Sequence, residues 1–216
     1  MKRSMMKIPA YMCSVKMIVR RAILSSVGSI FLIFSASAQE SPSFPELSSL
    51  TFSFVQTKSS DMLASDAVSR GKMAFVAPDR LRWEYLSPCR SLFIINGERM
   101  LVDNADGRRI TDLKSSGAFA GMFSMMMPLL RGDFRAVESR GFSAELSDGG
   151  GEHLLLRIVP VKPAAKRMFS EVVAEIDRTT GVAAKVTVLE KNGDRTVISC
   201  SGIVPDAPVD GGLFEF

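Results

Sequence analysis

The sequence predicts an α+β protein that is mainly antiparallel β, and three observations lead to this prediction. Apolar and polar residues alternate with period two through much of the chain, which is typical of strands with one buried face. Tight-turn pairs such as Asn96-Gly97 and Asn192-Gly193 separate these segments and favour antiparallel hairpins. One segment, 115–130, has no β-branched residue and is rich in Ala, Met and Leu, which indicates a helix.

Residues 1–38 have the organisation of a secretory signal peptide. Lys16, Arg20 and Arg21 precede the apolar run 22–34, and small residues follow at 35–38. We therefore expect cleavage after Ala38 and a single domain, residues 39–216, outside the cytoplasm. The alternative is a retained membrane anchor, although the run is short for a membrane-spanning helix and ends in a cleavage site.

The net charge changes its meaning once this segment is removed. The whole chain has 27 Lys and Arg, 23 Asp and Glu, and a net charge of +4. Six of the cations and none of the acids lie in residues 1–38, so 21 basic residues face 23 acidic ones in the remainder. The basic character belongs to the targeting segment, and the sequence favours no nucleic-acid partner.

The elements follow in order along residues 39–216. A short helix is predicted within 41–50, capped by Ser43 and with Pro45 in its first turn. Strands are predicted at 51–58, 70–77, 80–86, 91–95, 99–103, 108–113, 142–146, 153–159, 170–177, 182–190 and 195–204. A meander this long normally curls into a barrel or a sandwich.

The helical segment 115–130 is predicted to form helical turns on either side of Pro128. Its apolar residues cover nearly the whole circumference, so we expect protein or ligand on most of its sides. Methionine is flexible and adapts to apolar partners of variable shape. The segment is either the lid of a hydrophobic cavity or a helix that fills an ordinary core.

The sequence offers little for catalysis. Its one histidine, His153, begins a predicted strand, and nothing places a nucleophile beside it. A hydrolase would depend on Asp and Glu side chains that are spread among turns, so we expect no enzyme and no cofactor. Absence of a CxxC motif or a Cys/His cluster predicts no metal site. Cys89 and Cys200 form either a disulfide or two separate thiols.

Three motifs resemble those of the outer-membrane lipoprotein carrier family (LolA-like). They are the F-x-Q strand at Phe54–Gln56, the Gly-led strand at Gly71–Phe75, and the P-x-x-hydrophobic-R-W-x-Y block at Pro78–Tyr85. The closing pair Phe214-x-Phe216 fits as well. The resemblance extends over essentially all of residues 39–216, and the R-W-E-Y block is its most specific part.

The resemblance implies an incomplete, unclosed β-barrel of about eleven strands with a helical lid. It also implies a soluble periplasmic chaperone that takes acylated lipoproteins, or a related lipid, from an inner-membrane ABC transporter complex. The lipid chains sit in a hydrophobic cavity until delivery to an outer-membrane acceptor. We expect such a carrier to be a monomer. The alternative is an extracytoplasmic structural or interaction module with a filled core and no lipid ligand.

Strand alternation and the resemblance together select the candidate cavity residues, and a register slip of one residue would turn the other face inward. Members of the family commonly have an arginine directly before the proline that corresponds to Pro78, where it can bond to the lid. This chain has Ala77 at that position, so a polar latch on the lid would come from Arg80 or Arg82. Without such a latch, apolar contact alone would hold the lid. The predicted cavity residues are Phe52, Phe54, Met73, Phe75, Leu81, Trp83 and Tyr85, and the predicted lid residues are Met122, Phe123, Met126 and Leu130.

Overall fold

The computed structural model describes residues 44–116, 118–131, 133–134, 136–163, 165–167 and 169–216. The predicted signal peptide, with its cleavage after Ala38, lies outside the described residues. Within these ranges, eleven strands form one sheet, and two α-helices lie between the sixth and seventh strands. The elements are β1 Ser49–Ser59, β2 Ala67–Val76, β3 Arg80–Ser87, β4 Ser91–Asn96, β5 Arg99–Asn104, β6 Gly107–Asp112, α1 Ala118–Leu130, α2 Ala136–Ser139, β7 Phe142–Asp148, β8 His153–Pro160, β9 Glu171–Asp177, β10 Ala183–Leu189 and β11 Arg195–Pro205.

The strand order confirms the predicted unclosed antiparallel sheet. From edge to edge the order is β6-β5-β4-β3-β2-β1-β11-β10-β9-β8-β7, and each neighbouring pair is antiparallel. Directions therefore alternate across the odd number of strands in the described residues. The two edge strands, β6 and β7, consequently run in the same direction, and an antiparallel ladder cannot join them.

The predicted helix at 115–130 is confirmed as α1, which continues through Pro128 and ends two residues later. The helix predicted within 41–50 is wrong for the described part of that segment, because residues 44–48 are not helical and β1 begins at Ser49. The Asp206 carboxylate explains the difference. It accepts hydrogen bonds from the amides of Ser48 (2.8 Å) and Ser49 (3.4 Å), which hold this segment against the end of β11.

Gly71 lies within β2, paired with Phe54 on one side and Tyr85 on the other, at a point where only glycine fits. A Cβ atom at this position would lie 2.4 Å from the Phe54 ring and 2.1 Å from the Glu84 carbonyl oxygen. Both distances are far below van der Waals contact, so a larger residue would displace the ring or the neighbouring strand. The close approach lets the Phe54 ring lie across the backbone of β2.

The sheet has an inner face, defined here as the face that carries α1, and an outer face on the opposite side. Two hydrophobic clusters lie on the inner face, one centred on β1–β5 and the other on β7–β9. The outer face is covered in part by the C-terminal segment, where Phe214 packs against Ala74, Ile94 and Leu101. Among the described residues, no helix is both long and apolar enough to cross a membrane.

Candidate functional site

An apolar cavity of about 180 Å³ lies between α1 and the inner face of the sheet, where the two inner clusters meet. None of its lining residues carries a charge. Water is poorly stabilised inside this cavity, because the walls offer almost no hydrogen-bonding partners. The lining consists of Leu50, Phe52, Trp83, Met125, Met126, Leu129, Leu130, Phe134, Leu156, Ile158, Val172, Ala174, Ile176, Val182, Ala183, Val186, Val188, Ile198 and Cys200.

The roof of the cavity comes from the last turns of α1. Met125 and Leu129 are one helical turn apart, as are Met126 and Leu130, so the four form a continuous apolar strip. Met125 packs with the β7–β9 cluster, and Met126 packs with the β1–β5 cluster. The helix therefore bridges the two clusters above the void, with flexible side chains at the centre of the roof.

The aliphatic wall on β8, β9 and β10 was not identified from the sequence. Leu156 and Ile158 on β8 pair with Ala174 and Val172 on β9, and all four line the cavity. Ala174 is small and only 4% exposed, so its position leaves space that a larger residue would occupy. The alternation of these strands was visible in the sequence, but an aliphatic core has the same pattern.

The structure places the sequence-predicted residues in two groups on the inner face. Phe52, Trp83, Met126 and Leu130 line the cavity. The remaining described residues pack in the adjoining β1–β5 cluster, and Met122 lies on α1 with its side chain outside the described part of the structure. The adjoining residues are Phe54, Met73, Phe75, Leu81, Tyr85 and Phe123.

The aromatic side chains of β1 and β3 fill their part of the interior. The Trp83 ring centroid lies 4.5 Å from that of Phe54 and 6.2 Å from that of Phe52. The Tyr85 hydroxyl donates a hydrogen bond to the Gln56 side chain at 2.9 Å, and burial raises the pKa of Tyr85. These contacts close the β1–β5 side of the cavity with interlocked rings.

Arg80 and Arg82 lie on the outer face. The Arg82 guanidinium pairs with Glu84 at 3.0 Å and donates to the carbonyl of Leu213 at 3.1 Å. The Arg80 guanidinium lies 5.5 Å from the ring centroid of Phe214. These contacts hold the C-terminal segment, on the face opposite α1.

The region of α1 also has contacts that sequence reasoning did not identify. Ala77, at the position of the family arginine, packs against the β1–β5 cluster. Arg131, one residue beyond α1, forms an ion pair with Glu46 at 2.6 Å, which ties the end of the helix to the segment before β1. Apolar packing and this ion pair are thus among the described contacts that hold the end of the helix.

Cys89 and Cys200 are both free thiols, which answers the alternative left open by the sequence. Cys89 is exposed in the β3–β4 connection, whereas Cys200 lines the cavity. Burial raises the pKa of Cys200 to about 11, so its thiol is neutral at physiological pH. No group of three or more potential metal ligands lies within the ranges the structure describes.

The comparison with protein families decides the relationship of this chain. The family model "Outer membrane lipoprotein carrier protein LolA" matches residues 46–216. The chain belongs to this family. Its fold, an open antiparallel sheet with few helices, is the one that the LolA-like resemblance implied. No curated protein matches the chain.

Three solved structures that resemble this LolA-family chain share little sequence identity with it. A LolA superfamily protein from Nitrosomonas europaea is 10% identical, with 80% of this chain and 92% of that chain covered and a TM-score of 0.41. A putative outer-membrane lipoprotein-sorting protein domain from Vibrio parahaemolyticus is 11% identical (77% and 88% covered, TM-score 0.39). The MucA/MucB complex of Pseudomonas aeruginosa is 14% identical (78% and 55% covered, TM-score 0.45).

Proposed function

We propose that this protein is a periplasmic carrier that shields the acyl chains of lipoproteins, or of a related lipid, and moves them from the inner to the outer membrane. The observation that supports this most strongly is the uncharged cavity beneath the methionines of α1. Membership of the LolA family supports the same assignment. The proposal includes removal of residues 1–38, loading from an inner-membrane ABC transporter complex and delivery to an outer-membrane acceptor.

The energetics of carriage need no catalytic group. Each acyl methylene removed from water stabilises the complex by about 0.8 kcal/mol, so burial of even one chain is strongly favourable. Uncharged walls add no specific polar contact that would retain the cargo. Release to a second apolar site is therefore possible when that site buries slightly more of the chain.

The volume of the cavity indicates a closed state. An engineered protein cavity of roughly 150 Å³ holds a molecule of the size of benzene. The present cavity, at about 180 Å³, is of the same order and is too small for a complete acyl chain. Loading therefore requires the cavity to enlarge, and the adaptable side chains of Met125 and Met126 suit a movement of α1 away from the sheet.

Displacement of a fluorescent fatty acid by palmitate tests the binding step. We expect saturable binding to the mature protein and a loss of affinity of about tenfold or more in Ala174→Phe, which fills the void. Ala74→Phe is the matched control, because Ala74 is a buried strand alanine in the outer cluster. Thermal unfolding of both variants separates a blocked cavity from general destabilisation.

The outcome also separates the proposal from its alternative. Absence of saturable binding by the folded wild-type protein would favour the structural or interaction module. Mass spectrometry of protein purified natively from the cell envelope tests the cargo itself. A co-purifying acylated polypeptide supports lipoprotein carriage, and a free lipid restricts the assignment to lipid transport.

A further inference from the structure

β6, residues Gly107–Asp112, is an exposed edge of the open sheet. β5 is its partner on one side, and no other described strand pairs with it. Five of its six residues are exposed, including the apolar Ile110, which is 45% exposed. An exposed edge of this kind presents unpaired amides and carbonyls and is a template for another strand.

The hydrogen-bonding pattern shows which residues of β6 point outward. The Leu113 amide donates to the Glu98 carbonyl at 2.7 Å, immediately after the β5–β6 ladder. Such bonds recur at every second residue of an antiparallel pair. The backbone groups of Arg109 and Thr111 therefore face β5.

Arg108, Ile110 and Asp112 consequently direct their backbone groups away from the sheet. Their side chains share the outer face, because Ile110 pairs with Leu101, and Leu101 belongs to the buried outer cluster. The free edge thus presents a basic, an apolar and an acidic residue at equal spacing, with the apolar residue in the centre.

We propose that β6 pairs antiparallel with β6 of a second copy of this chain, about a two-fold axis through Ile110. Ile110 then faces its own counterpart, and Arg108 of each copy faces Asp112 of the other. All outward backbone groups find partners in this register. The next register in either direction is shifted by two residues. It places Arg108 or Asp112 opposite Ile110, so that this charged residue has no opposite charge facing it.

The charges within each copy continue the same pattern. Arg108 pairs with Asp103 on β5, and Asp112 pairs with Arg99. Across the two copies, Asp103, Arg108, Asp112 of the second copy and Arg99 of the second copy would then lie side by side on four adjacent strands, with charges that alternate in sign. Opposite charges on directly opposed strand positions stabilise a ladder, and like charges destabilise it.

The other free edge, β7, is a poorer partner for β6. The Gly149 amide donates to the His153 carbonyl, so the outward backbone groups of β7 include those of Leu146. The Leu146 side chain packs with the inner β7–β9 cluster. An antiparallel β6–β7 ladder would place it beside Ile110 of the outer face, so the faces of the two sheets would be reversed.

The dimer leaves the cavity accessible, because none of the lining residues comes from β6. The proposal therefore replaces the monomer expected from the family resemblance but is independent of the proposed carriage of lipid. Failure of either proposal leaves the other intact, since acyl-probe binding and dimerisation are measured separately.

Cysteine crosslinking tests the position of the two-fold axis. Hydrogen-bonded antiparallel partners have Cα atoms about 5.5 Å apart, within disulfide range. In the mature Cys89→Ser protein, we expect Ile110→Cys to form a disulfide-linked dimer under mild oxidation. The matched variant Thr111→Cys faces Arg109 of the other copy and should crosslink at least about fivefold less. Equal crosslinking, or none in either variant, would overturn the proposal.

Charge reversal tests the register without a disulfide. Arg108→Asp and Asp112→Arg each place like charges across the axis, and we expect each to weaken self-association by about tenfold. An equimolar mixture restores opposite charges in a heterodimer and should recover wild-type association by analytical ultracentrifugation. Arg195→Asp carries the same charge change on an exposed residue of β11, away from the β6 edge, and is the control that leaves association unchanged. Folded single variants that fail to complement one another in the mixture would contradict the register.

Discussion

The two sides of the inner face are both apolar but differ in packing. On β1–β3, the rings of Phe52, Phe54 and Trp83 interlock and leave little space. On β8–β10, the wall consists of aliphatic residues and the small Ala174 and Ala183, and it borders the void. Hydrophobicity alone therefore does not locate a cavity in this fold. The size of the side chains opposite one another does.

Truncation of the aromatic side should have the largest effect on stability. Phe75 is fully buried in the β1–β5 cluster and does not line the cavity. We expect Phe75→Ala to lower the free energy of unfolding in urea by about 3–5 kcal/mol. Val188→Ala, on the aliphatic wall, should cost about 1.5 kcal/mol. A Phe75→Ala protein of normal stability that no longer binds the acyl probe would reverse the roles assigned to the two sides.

Much of the fold could be predicted from the sequence, because local chemistry specifies it. Asn96-Gly97 supplies the positive φ of a hairpin, since Gly97 has a φ of 61°, and the alternation of Leu81, Trp83 and Tyr85 identifies their common face. The prediction of an N-terminal helix was wrong because the carboxylate that binds the Ser48 amide, that of Asp206, lies far away in the sequence.

The site was harder to predict, because a void depends on side chains that are distant in sequence. The cavity prediction relied on the large aromatic residues of β1–β3, which pack against one another. The space lies where Ala174 pairs with Leu156, and this pairing follows from the register of β8 and β9. A period-two pattern shows which residues are buried, but not whether the opposite residues fill the space between them.

Cys200 lies between the two sides and reports on occupancy. Because its pKa is raised to about 11, its alkylation by iodoacetamide should accelerate about tenfold per pH unit between pH 7 and 9. Saturation with fatty acid should slow the reaction, whereas exposed Cys89 is the internal control. Peptide mass spectrometry measures both rates. Equal protection of both cysteines would argue against ligand in this cavity.

Tyr85 marks the border of the aromatic side. Tyr85→Phe removes the hydroxyl that donates to Gln56 and leaves the amide oxygen without this partner. We expect a loss of about 1 kcal/mol in the free energy of unfolding, with acyl-probe affinity unchanged. The double variant Tyr85→Phe with Gln56→Leu should recover part of this loss. A large effect on affinity instead would extend the cavity toward β3.

Asp206 connects the strands at the junction of the two sides and should give the smallest effect. Hydrogen bonds from the Ser48 hydroxyl and amide hold the pKa of its carboxyl below the ordinary value. A lowered folded pKa stabilises the protein above the unfolded pKa, and the contribution disappears as pH falls below about 4. The melting temperature of wild type should therefore exceed that of Asp206→Ala at pH 7 and approach it at pH 3.

Asp206→Asn is the matched control, since asparagine tolerates the φ of 52° at this position. It should retain more stability than Asp206→Ala at pH 7 but show no loss of that advantage on acidification. A pH-independent difference between wild type and Asp206→Ala would assign the effect to backbone conformation rather than to charge.

The parallel course of β6 and β7 has a mechanical consequence. Because no hydrogen-bond ladder joins these two edge strands in the described part of the chain, they can separate or approach without breaking an interstrand hydrogen bond. Enlarging the interior then costs only side-chain contacts, which re-form around whatever enters. In the proposed carrier, this construction would allow ligands of unequal size to enter while the backbone hydrogen bonds stay intact.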